Sequence, residues 1–222
     1  IGCQGGRLPG IPGEEAEGTM PAVELLKKVS EDEKYQISGN VVVIGGGNVA
    51  IDVARTSTRC GADSVQMYCL ESREKMPASL DEIEEAEEED IQIHCGWGPK
   101  EVLVKNGKVA GIILKKCVSV FDENGRFAPV YDEEDTREVS CEHVYFSVGQ
   151  SISWGNLLKD SKVELGRGNG AVADSLTYQT AEPDIFVGGD VYTGPKFAID
   201  AIAAGKEGAV SIHRFVQPDS SL

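Results

Sequence analysis

The clearest pattern of apolar positions lies in residues 40–55, which read NVVVIGGGNVAIDVAR. The apolar, β-branched run at 41–44 predicts a short strand that is buried on both faces. After three glycines, apolar residues recur at helical spacing, which predicts a helix from Asn48 to about Arg59 that ends at Gly61. The pattern therefore predicts a strand, a glycine turn and a helix in succession.

This context gives meaning to the spacing G-x-G-x-x-G/A, which is typical of dinucleotide binding. The three positions are Gly45, Gly47 and Ala50. Gly45 permits the tight turn, Gly47 lets the backbone approach a pyrophosphate, and Ala50 lets the helix pack closely on the strand. The start of the helix directs N–H groups and the positive end of its dipole at the phosphates. The alternative is a close-packed strand–helix turn without a ligand.

The rest of the pattern completes an α/β chain. We expect loop at 1–18, a helix at 21–29, a strand at 64–70 and an acidic helix at 81–90. From residue 91 the period falls toward two, which predicts strands at 91–95, 101–104, 109–116, 118–121 and 127–130. A polar loop at 132–138 and a strand at 142–148 follow. We expect a βαβ unit, then an antiparallel meander, then a strand that rejoins the first sheet.

Glu71 follows the predicted second strand, 21 residues after Ala50. A dinucleotide fold keeps the residue that binds the adenosine ribose at this position. A carboxylate here accepts hydrogen bonds from both ribose hydroxyls of NADH and repels the 2′-phosphate of NADPH. Arg73 instead could pair with that phosphate. Glu71 favours NADH, Arg73 favours NADPH, and the remaining alternative is a pair of plain surface charges.

A second glycine turn, Gly188-Gly189-Asp190, follows a predicted strand at 184–187. Gly194 and Pro195 then open a predicted helix at 197–215 that is rich in small residues. Asp190 is well placed to bond a ribityl or ribose hydroxyl, and the helix can present N–H groups to a flavin ring. The same residues are also compatible with a turn that binds nothing.

Composition narrows the function classes. The chain has 222 residues and a formal charge of −16, which argues against nucleic acid or an anionic membrane as a partner. Its six cysteines contain no C-x-x-C pair, a spacing that fits neither a zinc site, an iron–sulfur cluster nor a redox dithiol. We interpret them as reduced thiols of a cytoplasmic protein. The three histidines show no metal or triad spacing, so no metal ligand is expected.

Five stretches together resemble the glutamate synthase small (beta) subunit family of NAD(P)H:FAD oxidoreductases, which includes flavin modules of dihydropyrimidine dehydrogenase and of bifurcating transhydrogenases. The stretches occur in the family's order and are GCQGGRLPGIPGE (2–14), VVVIGGGNVAIDVAR (41–55), SREKMPAS (72–79), FSVGQ (146–150) and IFVGGDVYTGPKFAIDAIAAGKEGA (185–209). The resemblance implies a Rossmann-like, three-layer ββα domain for NAD(P) inserted into a partial FAD domain. Residues 1–37 would be the end of the first FAD segment and a linker, 38–149 the NAD(P)-binding domain, and 150–222 the second FAD segment.

The resemblance also predicts that this chain is a fragment, since the family's first FAD glycine loop and its iron–sulfur segments are not in the sequence. The family passes hydride from NAD(P)H to FAD and electrons onward through iron–sulfur clusters, here outside the chain. The implied partner is a large catalytic subunit or another electron-acceptor protein. No residue of this chain is expected to act as a catalytic acid or base. Family members that use NADPH resemble Tyr-Arg-Arg where this chain has Cys69, Leu70 and Glu71, and this departure strengthens the preference for NADH.

Two alternatives stay open: an electron-input subunit for another acceptor system, such as a transhydrogenase-like or dihydropyrimidine dehydrogenase-like one, and a non-catalytic nucleotide-binding regulator. A thioredoxin-reductase-like enzyme would need a C-x-x-C in its nucleotide domain. The candidate residues for the nicotinamide dinucleotide are Gly45, Gly46, Gly47, Asn48, Val49, Glu71, Arg73, Gly149 and Gln150. The candidate residues for FAD are Gly189, Asp190, Lys196, Phe197 and Ala198.

Overall fold

The computed structural model describes residues 1–218. Its strands are β1 (Gly5–Gly6), β2 (Thr19–Pro21), β3 (Asn40–Ile44), β4 (Ser64–Cys69), β5 (Gln92–Cys95), β6 (Trp97–Lys105), β7 (Lys108–Phe121), β8 (Phe127–Val139), β9 (His143–Phe146) and β10 (Gln150–Ser151). Its α-helices are α1 (Ala22–Glu31), α2 (Asn48–Arg59), α3 (Leu80–Glu88), α4 (Asp190–Thr193) and α5 (Ala198–Val216). Two single-turn 3₁₀ helices lie at Arg73–Lys75 and Arg167–Asn169.

The chain divides into two compact units. The larger unit is the continuous segment Gly6–Gly149, and the smaller unit combines Ile1–Gly5 with the chain from Gln150 onward. In sequence, the larger unit is therefore inserted between the two segments of the smaller one. Residues 6–37, which we expected to belong with an FAD segment and linker, lie in the larger unit. The reason is that β2 pairs with β9 and α1 packs on α2.

A parallel sheet of five strands, in the order β2-β9-β3-β4-β5, forms the middle layer of the larger unit. Side chains of β3 alternate between two hydrophobic clusters: Val41 and Val43 belong to the cluster under α1, α2 and α3, and Val42 and Ile44 to the opposite one. The sheet is thus buried on both faces, as the apolar run predicted.

The third layer is the antiparallel sheet β6-β7-β8, whose Val102, Ile112 and Leu114 pack against the second face of the parallel sheet. This order of layers confirms the predicted ββα architecture. The polar loop predicted at 132–138 was wrong, because these residues belong to β8 and pair with β7. β8 is an edge strand with mostly exposed side chains, so it carries no apolar alternation to reveal it. The strand predicted at 118–121 is the continuation of β7.

The smaller unit has a much smaller core, in which Cys3, Ile152 and Val191 are the buried members. The predicted helix at 197–215 is α5, most of whose side chains are exposed. The strand predicted at 184–187 was wrong. Phe186 makes one isolated bridge with Gln179 and no ladder, and a strand needs the continuous backbone pairing of a neighbour.

Among the described residues, no helix combines the length and the apolar character that crossing a bilayer would demand.

Candidate functional site

A cavity of about 620 Å³ opens at the carboxyl ends of β3, β4 and β9 in the larger unit. All three strands are parallel, so their ends meet at one edge of the sheet. The chain proceeds from β3 to β4 on one side, and β9 lies on the other side of β3. Ligands of open α/β sheets bind at such a switch point. Gly45, Gly46, Gly47 and Glu71 all line the cavity.

The three glycines of the loop differ in what a Cβ atom would meet at each position. Gly45 has a φ of 144°, and a Cβ there would lie 2.5 Å from the carbonyl oxygen of Ser147. A Cβ on Gly46 would lie 2.9 Å from the Cβ of Cys69. A Cβ on Gly47 would meet nothing within 4 Å, so no contact within the described part of the chain requires glycine at this position. The loop is tight where it touches protein and open where it faces the cavity.

Four successive backbone N–H groups at the start of α2 have no acceptor among residues 1–218. They belong to Gly46, Gly47, Asn48 and Val49. The side chain of Asn48 has a structural partner, since its Oδ1 accepts the N–H of Ser79 at 2.9 Å. Asn48 and Val49 are therefore available to a ligand through the backbone. Four unpaired donors at the positive end of a 12-residue helix are suited to a phosphate group.

The structure separates the two candidate ribose-reading residues. Glu71 lines the cavity, and its Oε2 lies 3.1 Å from the point where a Cβ on Gly46 would be. Arg73 forms an ion pair with Glu87 on α3, with 2.7 Å between Nη2 and Oε2. Arg73 lines a second cavity of about 530 Å³, which also contains Glu71, Lys75 and Lys116. Glu71 thus stands beside the glycine loop, whereas the guanidinium of Arg73 is held by α3.

The sequence pattern did not identify the wall of the cavity that lies opposite the glycine loop. It includes Trp97, Lys115, Phe127 and Tyr131 of the antiparallel sheet. The ammonium of Lys115 lies 4.2 Å from the ring centre of Tyr131 and bonds Glu133 at 2.6 Å. Burial raises the pKa of the Tyr131 hydroxyl, so the phenol stays neutral. No local motif marks these residues, because only the stacking of the two sheets brings them to the cavity.

The returning strand β9 contributes Ser147 and Val148 to the cavity. Gly149, the next residue, has a φ of 112°, and its carbonyl accepts the N–H of Arg7 at 3.2 Å. Gln150 is the first residue of β10 and belongs to the smaller unit. Of the predicted segment 146–150, the structure therefore brings Ser147 and Val148 to the lining, whereas the predicted residues Gly149 and Gln150 are not part of it.

A separate cavity of about 580 Å³ lies in the smaller unit. It is lined by every residue that was predicted for FAD: Gly189, Asp190, Lys196, Phe197 and Ala198.

Its geometry follows from close packing. Gly189 has a φ of 64°, and a Cβ there would lie 3.3 Å from that of Ala201 on α5. Oδ1 of Asp190 accepts the N–H of Lys196 at 3.3 Å, which closes the loop before α5. The aromatic ring of Phe197 is exposed beside this loop.

Residues 1–205 match the family model described as pyridine nucleotide-disulphide oxidoreductase. The chain is 32% identical to the NADP(+)-dependent formate dehydrogenase subunit beta of Moorella thermoacetica, over 94% of this chain and 30% of that protein. It is 30% identical to the glutamate synthase [NADPH] small chain of Escherichia coli strain K12, over 94% of this chain and 48% of that protein. These matches confirm the resemblance to glutamate synthase small subunits. The chain spans less than half the length of either relative.

Solved structures show the same fold. Mycobacterium tuberculosis FprA in complex with NADPH has a TM-score of 0.76 and 17% identity, and the match covers 98% of this chain and 63% of that one. T. acidophilum thioredoxin reductase has a TM-score of 0.72 and 22% identity, with 97% of this chain and 63% of that one covered. At these identities the likeness establishes the α/β fold.

Proposed function

Because the chain belongs to the pyridine nucleotide-disulphide oxidoreductase family, we propose that its larger unit binds NAD(P)H and that its smaller unit contributes to an FAD site. The observation that carries the proposal is the glycine loop: Gly46 and Gly47 line a cavity of about 620 Å³, and the four successive N–H groups from Gly46 to Val49 have no acceptor among the described residues. The domain assignment follows: residues 6–149 serve the nicotinamide dinucleotide, and residues 1–5 together with those from 150 onward form part of an FAD domain. These two cofactors together account for both glycine turns.

The chain's own residues bind and orient, because in such enzymes the cofactors carry the chemistry. When both are bound, the nicotinamide and the flavin supply hydride transfer. The N–H groups of Gly46 to Val49 hold the pyrophosphate, and Glu71 accepts hydrogen bonds from the adenosine ribose. Trp97 and Tyr131 cover the opposite side and exclude water. In the smaller unit, Asp190 would hold a flavin hydroxyl, and the N–H groups at the start of α5 would be available to the flavin ring.

We propose that the whole protein passes electrons onward through iron–sulfur centres outside this chain, as an electron-input subunit of the glutamate synthase kind in the cytoplasm. The two relatives carry different names, one a glutamate synthase chain and one a formate dehydrogenase subunit. The acceptor protein is thus either a large glutamate synthase subunit or the catalytic subunit of another system. A nucleotide-binding regulator is the third possibility, and flavin in the full-length protein would distinguish it.

For the nucleotide, we propose a preference for NADH that rests on Glu71. The ion pair with Glu87 supports this choice, because it engages Nη2 of Arg73, the residue that would otherwise bind a 2′-phosphate; Nη1 of the same guanidinium has no partner among the described residues. The opposing observation is the second cavity, where Lys75 and Lys116 have no carboxylate partner among the described residues. Both relatives are named for NADP(+) or NADPH.

The test is calorimetric titration of the chain with NADH and, separately, with NADPH at low salt. We expect binding of NADH in preference to NADPH. The variant Glu71→Arg should shift the ratio of the two dissociation constants toward NADPH by about tenfold or more, the size expected for one hydrogen bond to a charged group. Preference for NADPH in the unchanged chain would indicate instead that Lys75 and Lys116 determine the choice of nucleotide.

The matched control is Glu84→Arg, which makes the same charge change at an exposed position of α3. It should leave the ratio unchanged. An equal shift in both variants would mean that net charge, and not contact with the ribose, determines the preference. Binding of neither nucleotide would contradict the assignment of the larger unit.

A further inference from the structure

Two cysteines that lie 26 residues apart in sequence are side by side in the larger unit. Cys69 is the last residue of β4 and Cys95 the last of β5, and the two are direct register partners in the parallel ladder. Their sulfur atoms are 3.7 Å apart. Neighbouring strands are about 4.8 Å apart, which lies within the Cα separation of about 4.4–6.8 Å that a disulfide spans. The backbone therefore already has a separation that a disulfide can bridge.

The two thiols differ in access. Cys69 is 2% exposed, and burial raises its pKa. Cys95 is only partly buried and lines the second cavity, the one that also contains Arg73 and Lys116. A small oxidant that enters this cavity reaches Cys95 first, and Cys69 is the thiol beside it. This is the arrangement of a reacting and a resolving cysteine.

We propose that Cys69 and Cys95 form a peroxide-sensitive dithiol beneath the nucleotide cavity. The sulfur of Cys95 attacks the O–O bond of a hydroperoxide, which gives the sulfenic acid of Cys95 and releases an alcohol, or water from hydrogen peroxide. The thiol of Cys69 then displaces water from that sulfenic acid and forms the S–S bond. The two thiols lose two electrons and two protons in total, and the peroxide is reduced. A dithiol such as dithiothreitol reverses the change.

The disulfide would act on the proposed ribose site, so this consequence rests on the proposed function. The sulfur atoms must close from 3.7 Å to about 2.05 Å. The thiol of Cys69 donates to the carbonyl of Glu71 at 3.7 Å, and its Cβ packs under Gly46. Drawing Cys69 toward β5 therefore displaces both the glycine loop and Glu71. We expect the oxidised chain to bind the dinucleotide less tightly.

Cys117 provides a matched control. It lines the same cavity as Cys95, but its thiol donates to the carbonyl of Ser119 at 3.4 Å. Burial raises its pKa as well. Cys117 is 7% exposed, so it tests whether a cysteine that lines this cavity without belonging to the pair is oxidised as well.

The first experiment treats the chain of 222 residues with hydrogen peroxide, blocks the remaining thiols and maps disulfides by mass spectrometry. We expect a Cys69–Cys95 disulfide and a mass loss of about 2 Da, the two hydrogens removed, that dithiothreitol restores. Cys117→Ser should behave like the unchanged chain, and Cys95→Ser should form no internal disulfide. Overoxidised Cys95 without a disulfide, or a disulfide to Cys117, would overturn the proposal. The variant Cys95→Ala repeats the test with a different side chain. Thermal unfolding of both variants shows whether a folding defect explains the missing disulfide.

The second experiment titrates reduced and oxidised chain with NADH and NADPH. We expect at least about tenfold weaker binding after oxidation, the size of one lost hydrogen bond to a charged group. Equal affinities in the two states would overturn the coupling to the nucleotide site. Absence of binding in the reduced chain would contradict the proposed function instead, while the disulfide map still decides whether the dithiol exists.

Discussion

The two units each carry a glycine turn, but they support it in different ways. In the larger unit the turn after β3 is enclosed by two hydrophobic clusters, one on each face of the parallel sheet. In the smaller unit the turn at Gly188 and Gly189 packs on Ala204 and Ala201 of α5. That helix has Ala204 as its buried residue, and large apolar side chains such as Phe197 and Ile199 are exposed.

The difference indicates how firmly each glycine turn is held by the residues packed around it. Local stability follows the number of buried apolar contacts around a segment. The loop of the larger unit is fixed by its neighbours, so the geometry proposed for binding exists in advance of a ligand. The turn of the smaller unit rests on one exposed helix and should open at lower cost. Two pairs of substitutions test this contrast, and a fifth substitution concerns the larger unit alone.

The largest effect is expected from a pair of isoleucines in two helices. Ile51 in α2 is fully buried, whereas Ile202 in α5 is 58% exposed. Ile51→Ala should lower the free energy of unfolding by about 2–5 kcal/mol, because it leaves a cavity in the core. Ile202→Ala should change it by less than about 0.5 kcal/mol. Urea unfolding measures both, and equal losses would mean that α5 is as well supported as α2.

A pair of glycines comes next. Gly45→Ala places a Cβ 2.5 Å from the carbonyl oxygen of Ser147 at a φ of 144°, and should destabilise by about 1–3 kcal/mol. Gly205→Ala lies within α5, where a Cβ meets nothing within 4 Å, and should stabilise by about 0.5–1 kcal/mol through helix propensity. Thermal unfolding followed by circular dichroism should show opposite shifts. Shifts of the same sign would contradict the contrast.

The smallest effect concerns pH and His94, which stacks on Tyr68 with 4.7 Å between ring centres. Burial, with a smaller contribution from Arg137, lowers the pKa of His94 below its usual 6.5. The unfolded chain then binds the proton more tightly, so stability is complete above about pH 6.5 and falls as pH drops toward the lowered pKa. His94→Phe keeps the stacked ring and should flatten the dependence of the urea midpoint on pH in this range. An unchanged slope would exclude His94 as its source.

Local pattern predicted most of the larger unit. The predicted helix from Asn48 to Arg59 has the bounds of α2, and the run at 41–44 lies within β3. These predictions succeeded because each rests on a periodicity within one element. The loop predicted at 132–138 failed because an exposed edge strand has no apolar face. The strand predicted at 184–187 failed because a strand also needs a partner, which its own sequence does not specify.

The sequence by itself determined the strand–glycine–helix unit and the residues of both glycine turns. Their conformations depend on missing Cβ atoms and on spacing within a few residues. Only the tertiary structure decided that Glu87 holds Arg73, that Trp97 and Tyr131 cover the cavity, and that Cys69 touches Cys95. These contacts depend on strand register and on the stacking of two sheets. Both are fixed by the burial of apolar faces from distant parts of the chain, which no local spacing encodes.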